Sequence, residues 1–138
     1  VEREYDSLYD LYGLGLTVYS PLAEGILAGR YSKGVPADSR AALVTRKTGL
    51  AKQEKQIAAA DALRPIAKEM NCSLPQLALA WVLFNQQVSS AIIGASRPSQ
   101  IEENVGAIGC LSRISASTVQ SIEDAVSKVG ASAEMFYD

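Results

Sequence analysis

The hydrophobic pattern of the chain begins with a helix that is followed at once by a strand. Apolar and aromatic side chains recur at helical spacing over residues 2–12, and Gly13 is a typical residue for a helix to stop at. Residues 14–20 then form a short, apolar and β-branched run, which predicts a buried strand. Such a short connection between a helix and a strand is typical of α/β units.

Residues 21–52 have no clear periodicity. This segment is rich in glycine and serine and carries several cationic side chains. An irregular segment of roughly 30 residues in a compact domain is usually a functional loop or a disordered one. Both interpretations stay open at this point.

The second half of the chain predicts helices around one more strand. Residues 54–70 have a helical composition, and Pro65 should kink that helix or start a new one because proline lacks an N–H. Ser73 is the expected N-cap of a helix that reaches residue 84 and is apolar on most faces, as in helices buried between two layers. The second strand is predicted at residues 88–93.

Two further helices complete the pattern. One should be capped by Ser96 or Ser99 and run through Ile108, and the other should run from Ser115 or Ser117 to residue 129. The order is therefore typical of a parallel α/β arrangement, yet it contains only two strands. Because parallel strands need both faces and both neighbours covered, the pattern predicts part of a larger parallel barrel or sheet.

The composition of the chain argues against several classes of function. The 138 residues include 13 Lys+Arg and 15 Asp+Glu, so the net charge of −2 argues against nucleic acid as the main partner. No apolar run reaches the roughly 18 residues of a membrane span, so we expect no direct membrane insertion. The absence of histidine excludes a histidine-based triad or an HExxH zinc site within this sequence. Two cysteines, Cys72 and Cys110, are too few for a zinc site or a disulfide framework, so we expect no metal, and reduced thiols in a cytoplasmic protein.

Two loops stand out because each follows a predicted strand at its carboxyl end, where α/β folds bind ligands. They are residues 20–31 and residues 94–104. In the second loop, small residues before a helix leave backbone N–H groups available to an anion. The phosphate-binding candidates are Ser96, Arg97 and Gln100, and the candidates for hydrogen bonds to a purine are Glu103 and Asn104. On the residues alone, an ordinary helix cap remains an alternative for this loop.

Taken together, the two loops resemble those of a known family. YSPLAEGILAGRYSKG (19–34) is similar to the strand-7 loop of the aldo-keto reductases, and IIGASRPSQIEENVGAI (92–108) is similar to their strand-8 loop and the helix after it. LPQLALAWVLFNQQVSSAIIGAS (74–96) resembles the seventh helix and eighth strand of the same family. Within the family, the resemblance is closest to the subfamily that contains the voltage-gated potassium channel β subunits.

The resemblance implies a fold. That fold is α/β, the C-terminal half of a (β/α)8 TIM barrel, running from helix 6 through strand 7, helix 7, strand 8 and helix 8 to a terminal helix. Residues 1–138 would then form the C-terminal part of an NADP-dependent oxidoreductase domain whose N-terminal half is absent from this sequence.

The resemblance also implies NADP(H) as cofactor and assigns its contacts. Along the pyrophosphate and ribose it places Ser20, Pro21, Leu22 and Ala23, with Gly25 in the same cofactor-binding loop. At the phosphates it places Arg30 and Arg40. Around the adenosine 2′-phosphate it places Gly94, Ser96 and Gln100, and at the adenine Glu103 and Asn104. Tyr19 would stack on the nicotinamide ring.

No catalytic residue is expected in this chain. The family's catalytic Asp, Tyr, Lys and His belong to the first half of the barrel, so the resemblance implies a parent protein that transfers hydride from NADPH to an aldehyde or ketone. Two alternatives stay open: a redox-sensing regulatory module like the potassium channel β subunits, with little turnover, and an inactive truncated product. A small-molecule carbonyl substrate is implied for the parent protein, and a homo-oligomer or a membrane channel partner stays open.

Overall fold

The computed structural model describes residues 5–37, 39, 42 and 53–131. In chain order the elements are α1 (Asp6–Tyr12), β1 (Leu16–Tyr19), a 3₁₀ turn (Ala23–Gly25), α2 (Glu54–Ala62), α3 (Arg64–Glu69), α4 (Leu74–Phe84), β2 (Val88–Ile92), α5 (Pro98–Val105), α6 (Ala107–Leu111) and α7 (Ala116–Lys128). The described part of the chain is therefore mixed α/β. None of its helices combines the length and the apolar character that a membrane crossing requires.

The prediction that a first helix is followed at once by a strand is confirmed. The first helix ends at Gly13, whose φ of 62° is left-handed and whose N–H donates to the Tyr9 carbonyl at 2.9 Å. β1 then pairs with β2 in parallel, and the register places Tyr19 opposite Ile92. Among the described residues the sheet consists of these two strands.

Three helix starts follow from local chemistry. Pro65 lies in the first turn of α3, where a missing N–H breaks no helical bond, so the new-helix alternative is confirmed. At the start of α4, Ser73 Oγ accepts from the Gln76 N–H at 3.4 Å, and Gln76 Oε1 accepts from the Ser73 N–H at 3.0 Å. This reciprocal pair is a capping box. Ser115 rather than Ser117 caps α7 by accepting from the Thr118 N–H at 3.2 Å.

The predicted start and end of the helix after β2 are wrong. Its N-cap is Arg97, not Ser96 or Ser99, and the helix ends at Val105 rather than at Ile108. The first turn is closed by the backbone instead, since the Gln100 N–H donates to the Arg97 carbonyl at 3.1 Å, while the Gln100 side chain accepts from the N–H groups of Ser96 and Arg97. Gly106 separates α5 from the short α6.

The core lies on one side of the sheet. It joins the first loop to the helices α2, α3, α4 and α7 through a cluster of buried side chains: Ile26, Tyr31, Ala60, Leu63, Ala67, Leu74, Leu77 and Ile122. The expectation of a buried first strand is wrong, since Thr17 and Tyr19 are exposed while Leu16 and Val18 are half-buried. The reason is that α4 packs against β2, and among the described residues no comparable layer covers the other face.

Candidate functional site

The two loops singled out in the sequence lie at the same edge of the sheet. Because β1 and β2 are parallel and Tyr19 pairs with Ile92, the chain leaves both strands at the same end. Ser20 and Gly94 therefore start their loops side by side. Ligands of open parallel sheets bind at such a carboxyl edge.

The first loop has an unusual backbone. Ser20, Ala23 and Glu24 have φ values of 50°, 46° and 55°, and Gly25 has a φ of 101°. Side chains other than glycine rarely adopt this region, and residues held there cluster at ligand-binding sites. The turn is closed by the Ala23 N–H, which donates to the Ser20 carbonyl at 2.8 Å.

A buried tyrosine supports this loop from below. Tyr31 is 5% exposed, and its hydroxyl donates to the Glu24 carbonyl at 3.0 Å. A Cβ atom on Gly25 would lie 3.4 Å from that hydroxyl and 3.7 Å from Cδ of Arg30. The half-buried Arg30 side chain is thus held beside the strained turn.

A polar cluster that we call the loop anchor (Ser32, Asp61 and Arg64) ties the end of the first loop to α2 and α3. Ser32 Oγ donates to Asp61 Oδ1 at 2.6 Å, and Arg64 Nε donates to the same oxygen at 2.7 Å. Arg64 Nη2 also donates to Ser32 Oγ at 2.8 Å and to the Gly29 carbonyl at 2.9 Å. The guanidinium therefore fixes both ends of the 29–32 turn.

The charge of Asp61 is stabilised by the other members of the anchor. Partial burial by itself raises the pKa of Asp61, but the hydrogen bonds from Ser32 and Arg64 and the charge of Arg64 outweigh it. The pKa of Asp61 therefore lies below its ordinary value of 3.8. Asp61 is therefore ionised at neutral pH, and its carboxylate accepts the hydrogen bonds from Ser32 and Arg64 that form the anchor.

The second loop presents several donors to a single oxygen. Gln100 Oε1 accepts from the Ser96 N–H at 2.8 Å, from the Ser96 hydroxyl at 3.2 Å and from the Arg97 N–H at 3.3 Å. We call these three groups the donor cluster. They converge at the N-terminus of α5, where the helix dipole also favours negative charge. Gly94 is exposed, and a Cβ atom there would meet nothing within 4 Å.

The end of α5 is fixed from the neighbouring helix. Gln76 Nε2 donates to the backbone carbonyl of Glu103 at 2.8 Å, while the Glu103 residue is exposed. Asn104 is only 7% exposed. The two predicted adenine contacts therefore differ in access, since Glu103 faces solvent and Asn104 is buried within the described part of the chain.

The structure thus brings most of the predicted site to one edge. Tyr19 lies at the end of β1 and is 82% exposed, Ser20 is exposed, and the residues that follow them in the first loop are half-buried: Pro21, Leu22, Ala23 and Gly25. Ser96 and Gln100 lie across the edge in the second loop. Arg40 lies outside the described residues, so its predicted contact with the phosphates stays a prediction.

Sequence reasoning did not find the supports of the first loop. Tyr31 carried no signal beyond being one of six tyrosines. Asp61 and Arg64 are spaced as an ordinary surface ion pair on a helix, and nothing local shows that they reach a turn some 30 residues earlier. Only the tertiary packing of α2 and α3 against the loop brings these groups together.

Comparison with known proteins identifies the family of the chain. A sequence model of the family described as "Aldo/keto reductase family" matches residues 2–127, which include both loops and both strands. The chain belongs to the aldo/keto reductase family. The fold of that family is a (β/α)8 barrel, and the mixed α/β structure with parallel strands is consistent with it.

Two curated proteins illustrate how far the similarity extends. A protein of Oryza sativa subsp. japonica named "Probable voltage-gated potassium channel subunit beta" is 45% identical over 130 residues, which is 91% of this chain and 39% of that protein. A protein of the same name from Arabidopsis thaliana is 42% identical over 130 residues, again 91% of this chain and 39% of that protein. The chain thus spans about two fifths of the length of these curated relatives.

Proposed function

We propose that this chain is the NADP(H)-binding portion of an aldo/keto reductase that transfers a hydride from NADPH to an aldehyde or ketone. The observation that carries the proposal is the pairing of two specialised loops at one carboxyl edge: a strained turn at residues 20–25 and the donor cluster before α5. Both lie within the segment matched to the family.

The donor cluster fits a phosphate group. Its N–H and O–H groups already converge on one acceptor, the amide oxygen of Gln100. A phosphate oxygen that replaced Gln100 Oε1 would receive the same hydrogen bonds and would gain the field of the α5 N-terminus. We assign the 2′-phosphate of NADP(H) to this position. The Gln100 side chain would rotate away from the donors and contact the phosphate from the side, and Arg97 would lie beside it.

The first loop would hold the remainder of the cofactor. NADPH supplies the hydride when bound, and the residues of this chain bind and orient it. The exposed ring of Tyr19 offers a flat aromatic surface to the nicotinamide, and the turn at Ser20 presents backbone and hydroxyl groups to the pyrophosphate. Arg30 contributes positive charge toward the phosphates.

The barrel architecture is part of the proposal. We infer that the chain supplies the C-terminal half of a (β/α)8 barrel and that the remaining strands cover the open face of the two-stranded sheet. Large apolar and aromatic side chains at the carboxyl end of the sheet are exposed, among them Tyr19, Ile92 and Ile93. A parallel sheet normally has both faces covered. The proton donor of the carbonyl reduction would then come from the other half.

Fluorescence titration and rapid kinetics on the full-length protein test the proposal. We expect NADPH to quench the emission of Trp81 and to bind more tightly than NADH, because only NADPH carries the 2′-phosphate. Stopped-flow absorbance should then show NADPH oxidation when an aldehyde is added. Equal affinity for the two cofactors would contradict the assignment of the donor cluster, and failure to bind either would contradict the function.

A second candidate is a regulatory module that binds the same cofactor and turns over slowly. The observation that favours it is the name shared by the two relatives, which are 45% and 42% identical to this chain. We therefore propose, as the alternative, a potassium channel β subunit-like role in which bound nucleotide reports the redox state. Tight NADPH binding with very slow oxidation by carbonyl compounds in the stopped-flow experiment would favour this role over the reductase.

A further inference from the structure

Two side chains from neighbouring helices each reach one of the two loops of the candidate site. Arg64, at the start of α3, donates hydrogen bonds to the end of the first loop. Gln76, in the first turn of α4, donates to the backbone of α5, the helix that follows the second loop. Both side chains line a cleft of about 370 Å³ that α3, α4 and the turn between them form. Neither residue is among the proposed nucleotide contacts.

We propose that Arg64 and Gln76 are positioning residues for NADP(H). Arg64 fixes the loop that holds the nicotinamide and pyrophosphate half of the cofactor, and Gln76 fixes the helix that holds the adenine half. The proposal rests on the proposed function, since it takes the two loops as the nucleotide site. It adds that α3 and α4 together form a support that sets how the two halves of the site lie relative to each other.

The contact of Arg64 with the first loop depends on a close approach to the backbone. Its Nη2 donates to the Gly29 carbonyl at 2.9 Å and to Ser32 Oγ at 2.8 Å. A Cβ atom on Gly29 would lie only 2.9 Å from Cζ of Arg64, so a glycine at this position leaves room for the guanidinium. Arg30, the proposed phosphate contact, follows Gly29 directly. The hydrogen bond at residue 29 therefore restrains the backbone that carries the Arg30 side chain.

Gln76 uses the two ends of its amide for different contacts. Oε1 accepts from the Ser73 N–H at 3.0 Å in the capping box of α4, and Nε2 donates to the Glu103 carbonyl at 2.8 Å. A Cβ atom on Gly106 would lie 3.3 Å from Cδ of Gln76, so the glycine leaves room for this second contact. Glu103 and Asn104 are the proposed adenine contacts. The hydrogen bond therefore holds the turn of α5 that carries both.

The two contacts share one packed base. Ala67 of α3 and Leu74 and Leu77 of α4 are buried in the same core cluster. A close-packed interior transmits strain and yields little, so the two helices resist movement relative to each other. Ile26 and Tyr31 of the first loop belong to the same cluster. The first loop thus rests on this base through apolar contacts and is oriented on it by Arg64.

The exposure of the Arg64 contact separates its positioning role from stability. The Arg64 side chain is 46% exposed and that of Asp61 is 37% exposed. An ion pair as open to solvent as this one contributes little to the stability of a fold. Replacing Arg64 should therefore change the placement of the loop more than the free energy of unfolding.

Titration of the full-length protein with NADPH and with adenosine 2′-monophosphate tests the role of Arg64. The monophosphate lacks the pyrophosphate and the nicotinamide, so it reports on the second loop alone. In Arg64→Ala, NADPH should bind about three- to tenfold more weakly, as expected for the loss of one hydrogen bond, while the affinity for the monophosphate should change by less than about twofold. Arg64→Lys should behave in the same way, because lysine keeps the charge but lacks the forked donors.

The matched control for Arg64→Ala is Lys68→Ala. Lys68 is exposed, lies four residues later in α3 and carries the same charge. Its replacement should alter neither affinity, because no loop contact is lost with it.

Two substitutions of Gln76 test its role. Gln76→Glu keeps the acceptor of the capping box and removes the donor to the Glu103 carbonyl, and Gln76→Met removes the donor without adding charge. Both should weaken NADPH and the monophosphate alike, by about three- to tenfold, because the adenine is common to the two ligands. Gln86→Glu makes the same charge change in the exposed turn before β2 and should alter neither affinity.

The outcomes distinguish this inference from the proposed function. A wild-type protein that bound neither ligand would overturn both. If the wild type binds both ligands, then unchanged NADPH affinity in the Arg64 variants, or equal weakening of the two ligands by them, would overturn the role of Arg64. A loss confined to Gln76→Glu would trace to its added charge and would overturn the role of Gln76. A urea titration of each variant establishes that the proteins compared are folded.

Discussion

The Gln100→Glu substitution places a negative charge where we expect the 2′-phosphate of NADP(H) to bind. In the structure, Oε1 of Gln100 accepts hydrogen bonds from the Ser96 N–H, the Ser96 hydroxyl and the Arg97 N–H. Glutamate keeps the size and the acceptor oxygen and adds only a charge. A carboxylate in the first turn of α5 interacts favourably with the helix dipole, by about 0.3–1 kcal/mol, so the variant should fold at least as well as the wild type.

The size of the expected effect follows from Coulomb's law. A carboxylate about 5 Å from a phosphate, in surroundings as exposed as this loop, is repelled by about 0.8 kcal/mol per pair of unit charges. A phosphate carrying between one and two negative charges therefore loses about 1–2 kcal/mol, which corresponds to about 5–30-fold weaker binding of NADPH. NADH has no 2′-phosphate, so its affinity should change by less than about twofold.

Titration of the full-length protein with each cofactor measures both affinities. Gln86→Glu is the matched control, because Gln86 is exposed in the turn before β2, at the opposite edge of the sheet, and the charge change is the same. The control should alter neither affinity. If Gln100→Glu weakened NADPH and NADH equally, or left NADPH binding unchanged in a folded protein, the donor cluster would not be the 2′-phosphate site.

Three further predictions concern the supports of the site and the thiol of Cys72. Tyr31→Phe removes the buried hydrogen bond to the Glu24 carbonyl and should lower the free energy of unfolding by about 0.5–1.5 kcal/mol in a urea titration, and an unchanged midpoint would contradict the role of this hydroxyl. Arg64→Ala removes the 2.9 Å hydrogen bond from the guanidinium to the Gly29 carbonyl, so limited proteolysis should cut the loop faster than in wild type at neutral pH. In wild type the folded pKa of Asp61 is lowered, so the hydrogen bonds of the loop anchor should persist as pH falls and be lost only below pH 3.8. The rate of Cys72 alkylation by iodoacetamide should rise about tenfold per pH unit and level off only near pH 11, whereas a plateau near the ordinary value of 9.0 would show that burial does not suppress its thiolate.

Much of the secondary structure could be predicted from local signals. Gly13 and Ser73 mark a helix end and a helix start where the structure has them, and Ser115 is one of the two predicted caps of the last helix, since caps depend on hydrogen bonds between residues close in sequence. The start of α5 was predicted wrongly, with Ser96 or Ser99 as the cap instead of Arg97. There the Gln100 side chain accepts from the N–H groups of Ser96 and Arg97 and from the Ser96 hydroxyl, and Arg97 rather than a serine stands at the N-cap.

The candidate site was predicted in part. The two loops follow strands, and the parallel pairing of those strands places the starts of both loops at one edge of the sheet. The contacts that hold the first loop, from Tyr31 and from the loop anchor, link residues up to 35 positions apart in the chain. No periodicity or spacing encodes such a contact.

The sequence by itself determined which segments become helix or strand, that the strands run parallel, and which family the chain resembles, because these depend on side-chain periodicity and on motifs within a few residues. Only the tertiary structure decided that one sheet face is open among the described residues, that Arg64 closes the 29–32 turn, and that burial raises the pKa of Cys72. Those features arise when helices pack and bring distant side chains within a few ångströms, and the packing of the whole core, not any local pattern, sets these distances.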